Sequence, residues 1–118
     1  MDLPERKTLD DKEMFDDVVR AILSVMGDDA VRIILYGSVA RGDNTWESDV
    51  DIAVLIDGVY DPQYRKKLFE AVYPLDEKYD TLFSVIPIES YHYFICKYEV
   101  PFYMNIEKEG ITLWKKCA

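Results

Sequence analysis

Met14, Val18, Ile22 and Val25 recur at intervals of four, four and three residues, the period of one helix face, and the pattern stops at Gly27. Asp10 and Glu13 stand ahead of them at capping-box spacing, so residues 10–26 predict an amphipathic helix that covers a core and ends at a glycine cap. From Val31 to Tyr36 only Arg32 interrupts an apolar run, which suits a strand covered on both faces. Residues 49–56 then alternate with period two. Val50, Ile52, Val54 and Ile56 form a β-branched row fit for a core, and Asp49, Asp51, Ala53 and Leu55 share the other face. Asp57-Gly58 marks a turn, and Asp61-Pro62 supplies an N-cap with proline at the first helical position. Tyr64, Leu68, Ala71 and Val72 give the following helix its apolar stripe, and Tyr73-Pro74 is expected to end or kink it. Residues 82–88, rich in β-branched and aromatic side chains, predict a third strand closed off near Pro87. A strand, helix, strand run of this length implies a right-handed crossover between parallel strands. Residues 89–95 predict a last helix, and residues 101–114 a turn of helix and a short strand.

These elements make one domain over residues 1–118, large enough for a single packed core. The net charge of −9 lacks the basic footprint of a protein that grips nucleic acid, so direct nucleic-acid binding and a polymerase-like role are disfavoured. Cys96 and Cys117 are too few for a disulfide framework or a zinc site, which suits a reducing cytoplasm. The first residues are charged, and no apolar run approaches membrane-spanning length. The expectation is a soluble cytoplasmic protein with no membrane contact.

The chemistry concentrates where the first strand meets the second. Gly37 lets the backbone turn sharply after Tyr36, and Ser38 is placed to cap a short helix starting near Val39. A helix start with free N–H groups and a hydroxyl attracts phosphate; Arg41 adds a positive charge one turn in, and Gly42 lets the chain leave. Asp49 and Asp51 point the same way, about 7 Å apart along the strand. Two carboxylates so arranged suit Mg²⁺, which takes its other ligands from water and substrate phosphates. No Gly-Lys-Ser/Thr follows, so this is not a Walker loop. Trp46, in the polar loop between, either stacks on a base or covers the loop edge. His92 among tyrosines reads as a packing residue rather than a base or ligand, and the aromatics from Tyr91 to Tyr103 serve either a partner surface or the core.

A Gly37-Ser38 pair followed after ten residues by Asp49-x-Asp51, with Ala40, Arg41, Gly42 and Ser48 also in place, resembles the signature of the nucleotidyltransferases related to DNA polymerase β. In a chain this short it is similar to the minimal nucleotidyltransferases of bacteria and archaea. The resemblance implies an α+β fold, a small mixed sheet with helices packed on it. It implies Mg²⁺-dependent transfer of a nucleotide from a nucleoside triphosphate such as ATP. Asp49 and Asp51 would hold the metal, with Gly37, Ser38, Arg41, Gly42 and Ser48 on the nucleotide. The family carries a third carboxylate on the next strand. Asp80, at its head, is the candidate by position for a metal-holding and catalytic role; Ser84 takes that slot if the register slips. Family members of this size are typically encoded beside a helical HEPN-class protein, often a ribonuclease toxin, and act as its antitoxin by binding it or by adding AMP to a tyrosine. A hydroxyl of a protein partner is therefore the leading acceptor. The alternatives are a non-catalytic module that neutralises its partner by contact, and a nucleotidyltransferase acting on a small molecule. The acceptor, the preferred triphosphate and any homo-oligomer stay open at this level.

Overall fold

The computed structural model describes residues 6–117. Four strands, β1 (Ala30–Tyr36), β2 (Val50–Ile56), β3 (Phe83–Glu89) and β4 (Ile111–Lys115), form one mixed sheet in the order β3-β2-β1-β4. β1 pairs antiparallel with β2 and β4, whereas β2 and β3 are parallel, as the intervening helix requires. The α+β architecture expected from the sequence is the one observed.

Helices cover both faces. α1 (Lys12–Met26) and α3 (Pro62–Lys78) bury Val18, Ile22, Leu68 and Val72 against Ile33, Leu35, Val50, Ile52 and Val54. α4 (Ser90–Cys96) and α5 (Pro101–Glu109) bring Tyr93 and Ile106 onto Ile34, Ala53, Leu55 and Ile88. A fully buried aliphatic such as Ile22 contributes about 1.5–3 kcal/mol by leaving water. Both rows of β2 are therefore interior from Ile52 onward, not the β-branched row alone, and its polar residues occur only at its head. That open end of the sheet also receives α2 (Gly37–Arg41), which follows β1 directly.

Several boundaries differ from the expectation. No side chain caps α1; Asp11, its N-cap, instead accepts the Thr8 N–H at 2.6 Å, so the Asp10/Glu13 capping box is not formed. Asp61 does cap α3, accepting the Gln63 N–H at 2.9 Å. That helix runs on through Pro74 to Lys78. Proline removes one donor there, but the carbonyl left without it, on exposed Glu70, can turn to water. β3 likewise continues through Pro87, which an edge strand tolerates. The predicted turn of helix near residue 101 is a nine-residue helix, α5. Among the described residues, no helix is long and apolar enough to cross a membrane.

Candidate active site

Tyr36, the last residue of β1, is the ladder partner of Asp51 in β2. The chain turns into α2 at once: Gly37 has φ 78° and is already its first residue, two positions earlier than the sequence suggests. Ser38 therefore lies in the first turn of α2 rather than capping it, and no side chain caps this helix. A Cβ on Gly37 would run into the Asp51 carboxylate, whose Cγ would lie 3.2 Å away. Glycine is required here twice over, for the left-handed backbone and for the close approach.

Asp49 precedes β2 directly, and the Val50 N–H next to it is fixed by the Leu82 carbonyl at 2.9 Å. Burial pushes the Asp51 carboxyl above its ordinary range and the charge of Asp49 pushes it further, while Arg41 draws it back. The same surroundings push the Tyr36 hydroxyl up to about 12, through burial first and Asp51 second. A partly desolvated carboxylate against a bare glycine, with the exposed charge of a second carboxylate beside it, forms a hard oxygen donor set that a divalent cation would relieve. The donor set and the glycine-walled space suit Mg²⁺. Among the described residues, no three His, Cys, Asp or Glu side chains are grouped to hold an ion by themselves, so further ligands have to be water or substrate oxygens.

The remaining predicted residues differ in how free they are. Arg41 is ion-paired, its Nε 3.1 Å from Asp43 and its Nη1 3.0 Å from Glu109 at the end of α5. Gly42 closes α2 at φ 82°, donating to the Ser38 and Val39 carbonyls. Ser48 folds the loop ahead of β2: its hydroxyl accepts the Thr45 N–H at 2.9 Å. Trp46 is exposed.

Ser84, not Asp80, stands opposite Asp51 in the parallel β2–β3 ladder. Asp80 lies in the turn after α3 with φ 48°, where its N–H reaches the Glu77 carbonyl and the Thr81 N–H donates to the Asp76 carbonyl at 3.1 Å. These are the two bonds of a Schellman cap, with Asp80 in the left-handed position that glycine usually takes. The acidic side chain that approaches Asp49 is instead Asp76, one turn earlier on α3. It accepts the Phe83 N–H at 3.0 Å, lines a cleft of about 280 Å³ together with Asp49 and Ser84, and has its carboxyl pushed up by burial and by the Asp49 charge, against that hydrogen bond. Nothing in the sequence singles out Asp76, which lies past the Tyr73-Pro74 break expected there; its place shows only once α3 continues through Pro74 and brings it to the Phe83 N–H at the head of β3.

Of the C-terminal aromatics, Tyr93 is buried in the core, whereas Tyr91, Phe94 and Tyr98 are exposed. His92 hydrogen-bonds the Tyr103 hydroxyl at 2.7 Å.

Residues 17–111 match the family model described as a nucleotidyltransferase domain. A protein of Methanocaldococcus jannaschii named as a candidate protein adenylyltransferase is 31% identical over 106 residues, covering 90% of this chain and 100% of that protein. Among solved structures, a toxin–antitoxin crystal structure with AMP-PNP superimposes with a TM-score of 0.61 at 22% identity, covering 86% of this chain and 73% of the other. A tri-AMPylated Shewanella oneidensis HEPN toxin in complex with its MNT antitoxin gives 0.53 at 20% identity, covering 89% and 73%. At these identities the structures speak for a shared fold.

Proposed function

The chain belongs to the nucleotidyltransferase domain family and is a nucleotidyltransferase; from that premise we propose that it moves AMP from ATP to a hydroxyl on a helical, HEPN-type protein partner, as the antitoxin of a ribonuclease toxin. The observation that carries this reading is the glycine-walled Asp51 carboxylate beside Asp49, at the foot of α2. The acceptor oxygen attacks the α-phosphorus, an O–P bond forms, the bond to the bridging oxygen breaks, and pyrophosphate leaves; the acceptor proton passes to a carboxylate or to water. Asp49 and Asp51 would hold Mg²⁺, which when bound supplies charge neutralisation along the phosphates. Gly37 and Ser38 offer N–H groups and a hydroxyl to the β- and γ-phosphates, and the Arg41 charge stands close enough to influence Asp51. Gly42 and Ser48 fix the two ends of the loop between α2 and β2. Catalysis in such a site is mostly positioning and charge stabilisation. A single domain and a cytoplasmic location belong to the same proposal, supported by the free thiols of Cys96 and Cys117.

A second reading, neutralisation by contact alone, is favoured by one observation: Ser84 rather than a carboxylate faces Asp51. Incubating the purified pair with Mg²⁺ and ATP and weighing the intact partner separates the two. Whole AMP units should appear on the partner and vanish with Asp49→Asn. A partner that never gains mass and is neutralised equally by that variant establishes contact alone.

A further inference from the structure

α5 touches the turn at Gly37 in two places. Phe102, in its first turn, meets the Tyr36 ring edge-on at 5.5 Å, and Glu109, its last residue, accepts from Arg41 Nη1 at 3.0 Å. Positions i and i+7 lie on one helix face about 10 Å apart, so a single face of α5 reaches both the residue before Gly37 and the residue that ends α2. The end of α5 has little room to shift. The Gly110 N–H donates to the Ile106 carbonyl at 2.8 Å, a Cβ on Gly110 would stand 2.7 Å from Cγ2 of Ile34 in β1, and Ile111 at once pairs with Leu35. Arg41 also reaches Asp43, through Nε at 3.1 Å, but Asp43 belongs to the same stretch of chain and moves with the arginine. Glu109 stands on a separate element, its side chain 25% exposed against 62% for Asp43, and ties the guanidinium to a part of the fold that is seated on the sheet. The two bonds use Nε–H and one Nη1–H, and the planar fork keeps its remaining donors, those of Nη2 among them, for an anion.

We infer that Glu109 is a positioning residue for nucleotidyl transfer: it holds the Arg41 guanidinium in one orientation, ready for the triphosphate, and acts on the nucleotide only through that arginine. The inference rests on the proposed placing of Arg41 at the phosphates and adds what keeps it there. An arginine left to itself has to be ordered at each binding event, whereas a paired one is ordered beforehand. Charge alone argues for the opposite sign, because a carboxylate beside Arg41 repels the triphosphate and its removal would tighten binding. Separating reach from charge tells the two effects apart. Glu109→Asp keeps the charge and shortens the side chain by a methylene; Glu109→Gln keeps the reach and an acceptor oxygen and drops the charge.

Calorimetric titration with ATP and with inorganic tripolyphosphate, each with Mg²⁺, tests this on the wild type, Glu109→Asp, Glu109→Gln, Arg41→Ala and the double variant Arg41→Ala, Glu109→Asp. The pair is partly exposed, so its loss leaves the fold standing, which the melting temperature of each variant checks. Glu109→Asp should weaken both ligands roughly 3- to 10-fold, as ordering a long side chain on binding does, while Glu109→Gln stays close to the wild type. Once Arg41 is alanine, Glu109→Asp should change nothing further. Wild-type or tighter binding by Glu109→Asp overturns the inference, and so does a Glu109→Gln that binds more weakly than Glu109→Asp. An equal loss with and without the Arg41 side chain also overturns it, since Glu109 would then act on the fold and not through the arginine. An Arg41→Ala that binds both ligands like the wild type removes the inference and leaves the transferase reading standing. A wild type that binds neither ATP nor tripolyphosphate overturns both.

Discussion

Asp51 is held in a position that its own chemistry resists. Its carboxyl is raised by burial and by Asp49, so the folded state takes up a proton more readily than the unfolded chain, and stability falls as pH rises from the ordinary value of 3.8 through the raised one. The metal-free protein should therefore gain thermal stability on Asp51→Asn, and the melting temperature of that variant should no longer rise with MgCl₂ and ATP, whereas the wild type rises with both. A metal-free Asp51→Asn that melts lower than the wild type would contradict this account. Asp80 offers a complementary case. As the left-handed residue of a Schellman cap it carries a backbone cost that glycine lacks, so Asp80→Gly should raise stability by up to about 1 kcal/mol. It should leave metal-dependent ATP titration unchanged; a loss of ATP binding would return Asp80 to the metal site.

At the level of elements, the tie between α1 and α3 has the opposite pH sign. Asp17 of α1 accepts the Tyr79 hydroxyl and pairs with Lys78 at 2.9 Å; the tyrosine bond, and after it the lysine, holds the carboxyl below its ordinary range. Its stabilisation is present above pH 3.8 and is lost as pH falls through the lowered value. Urea midpoints measured from pH 6 downward should fall more steeply for the wild type than for Asp17→Asn, the two curves converging in acid. α3 itself shows how far the sequence was legible. Asp61-Pro62 named its start to the residue, because an N-cap and a first-turn proline act locally. Its end was not readable, because Leu75 and Tyr79 beyond Pro74 pack on the core and outweigh the proline. The same holds in the site: Gly37, Asp49 and Asp51 were visible from spacing, whereas Ser84 and Asp76 depend on a register that the tertiary fold sets. Restoring the missing donor with Pro74→Ala should raise the melting temperature, by a free energy on the order of 1 kcal/mol or more.

Across the whole molecule, a net charge of −9 on a small body means self-repulsion at neutral pH. The melting temperature should climb with added KCl up to roughly 0.15 M, where screening acts over about 8 Å, and flatten beyond. Sheet order has a different consequence, one of timing. β1 lies inside the sheet only because β4, the last of the described elements, returns to pair with Arg32 through Leu35. During synthesis at roughly 5–20 residues per second, several seconds pass between the emergence of β2 and that of β4. Through that interval the strand that leads into Gly37 has a bare edge. A nascent chain halted before residue 111 would thus carry every residue of the nucleotide motif on a three-stranded sheet whose strand nearest Gly37 is unpaired along one side.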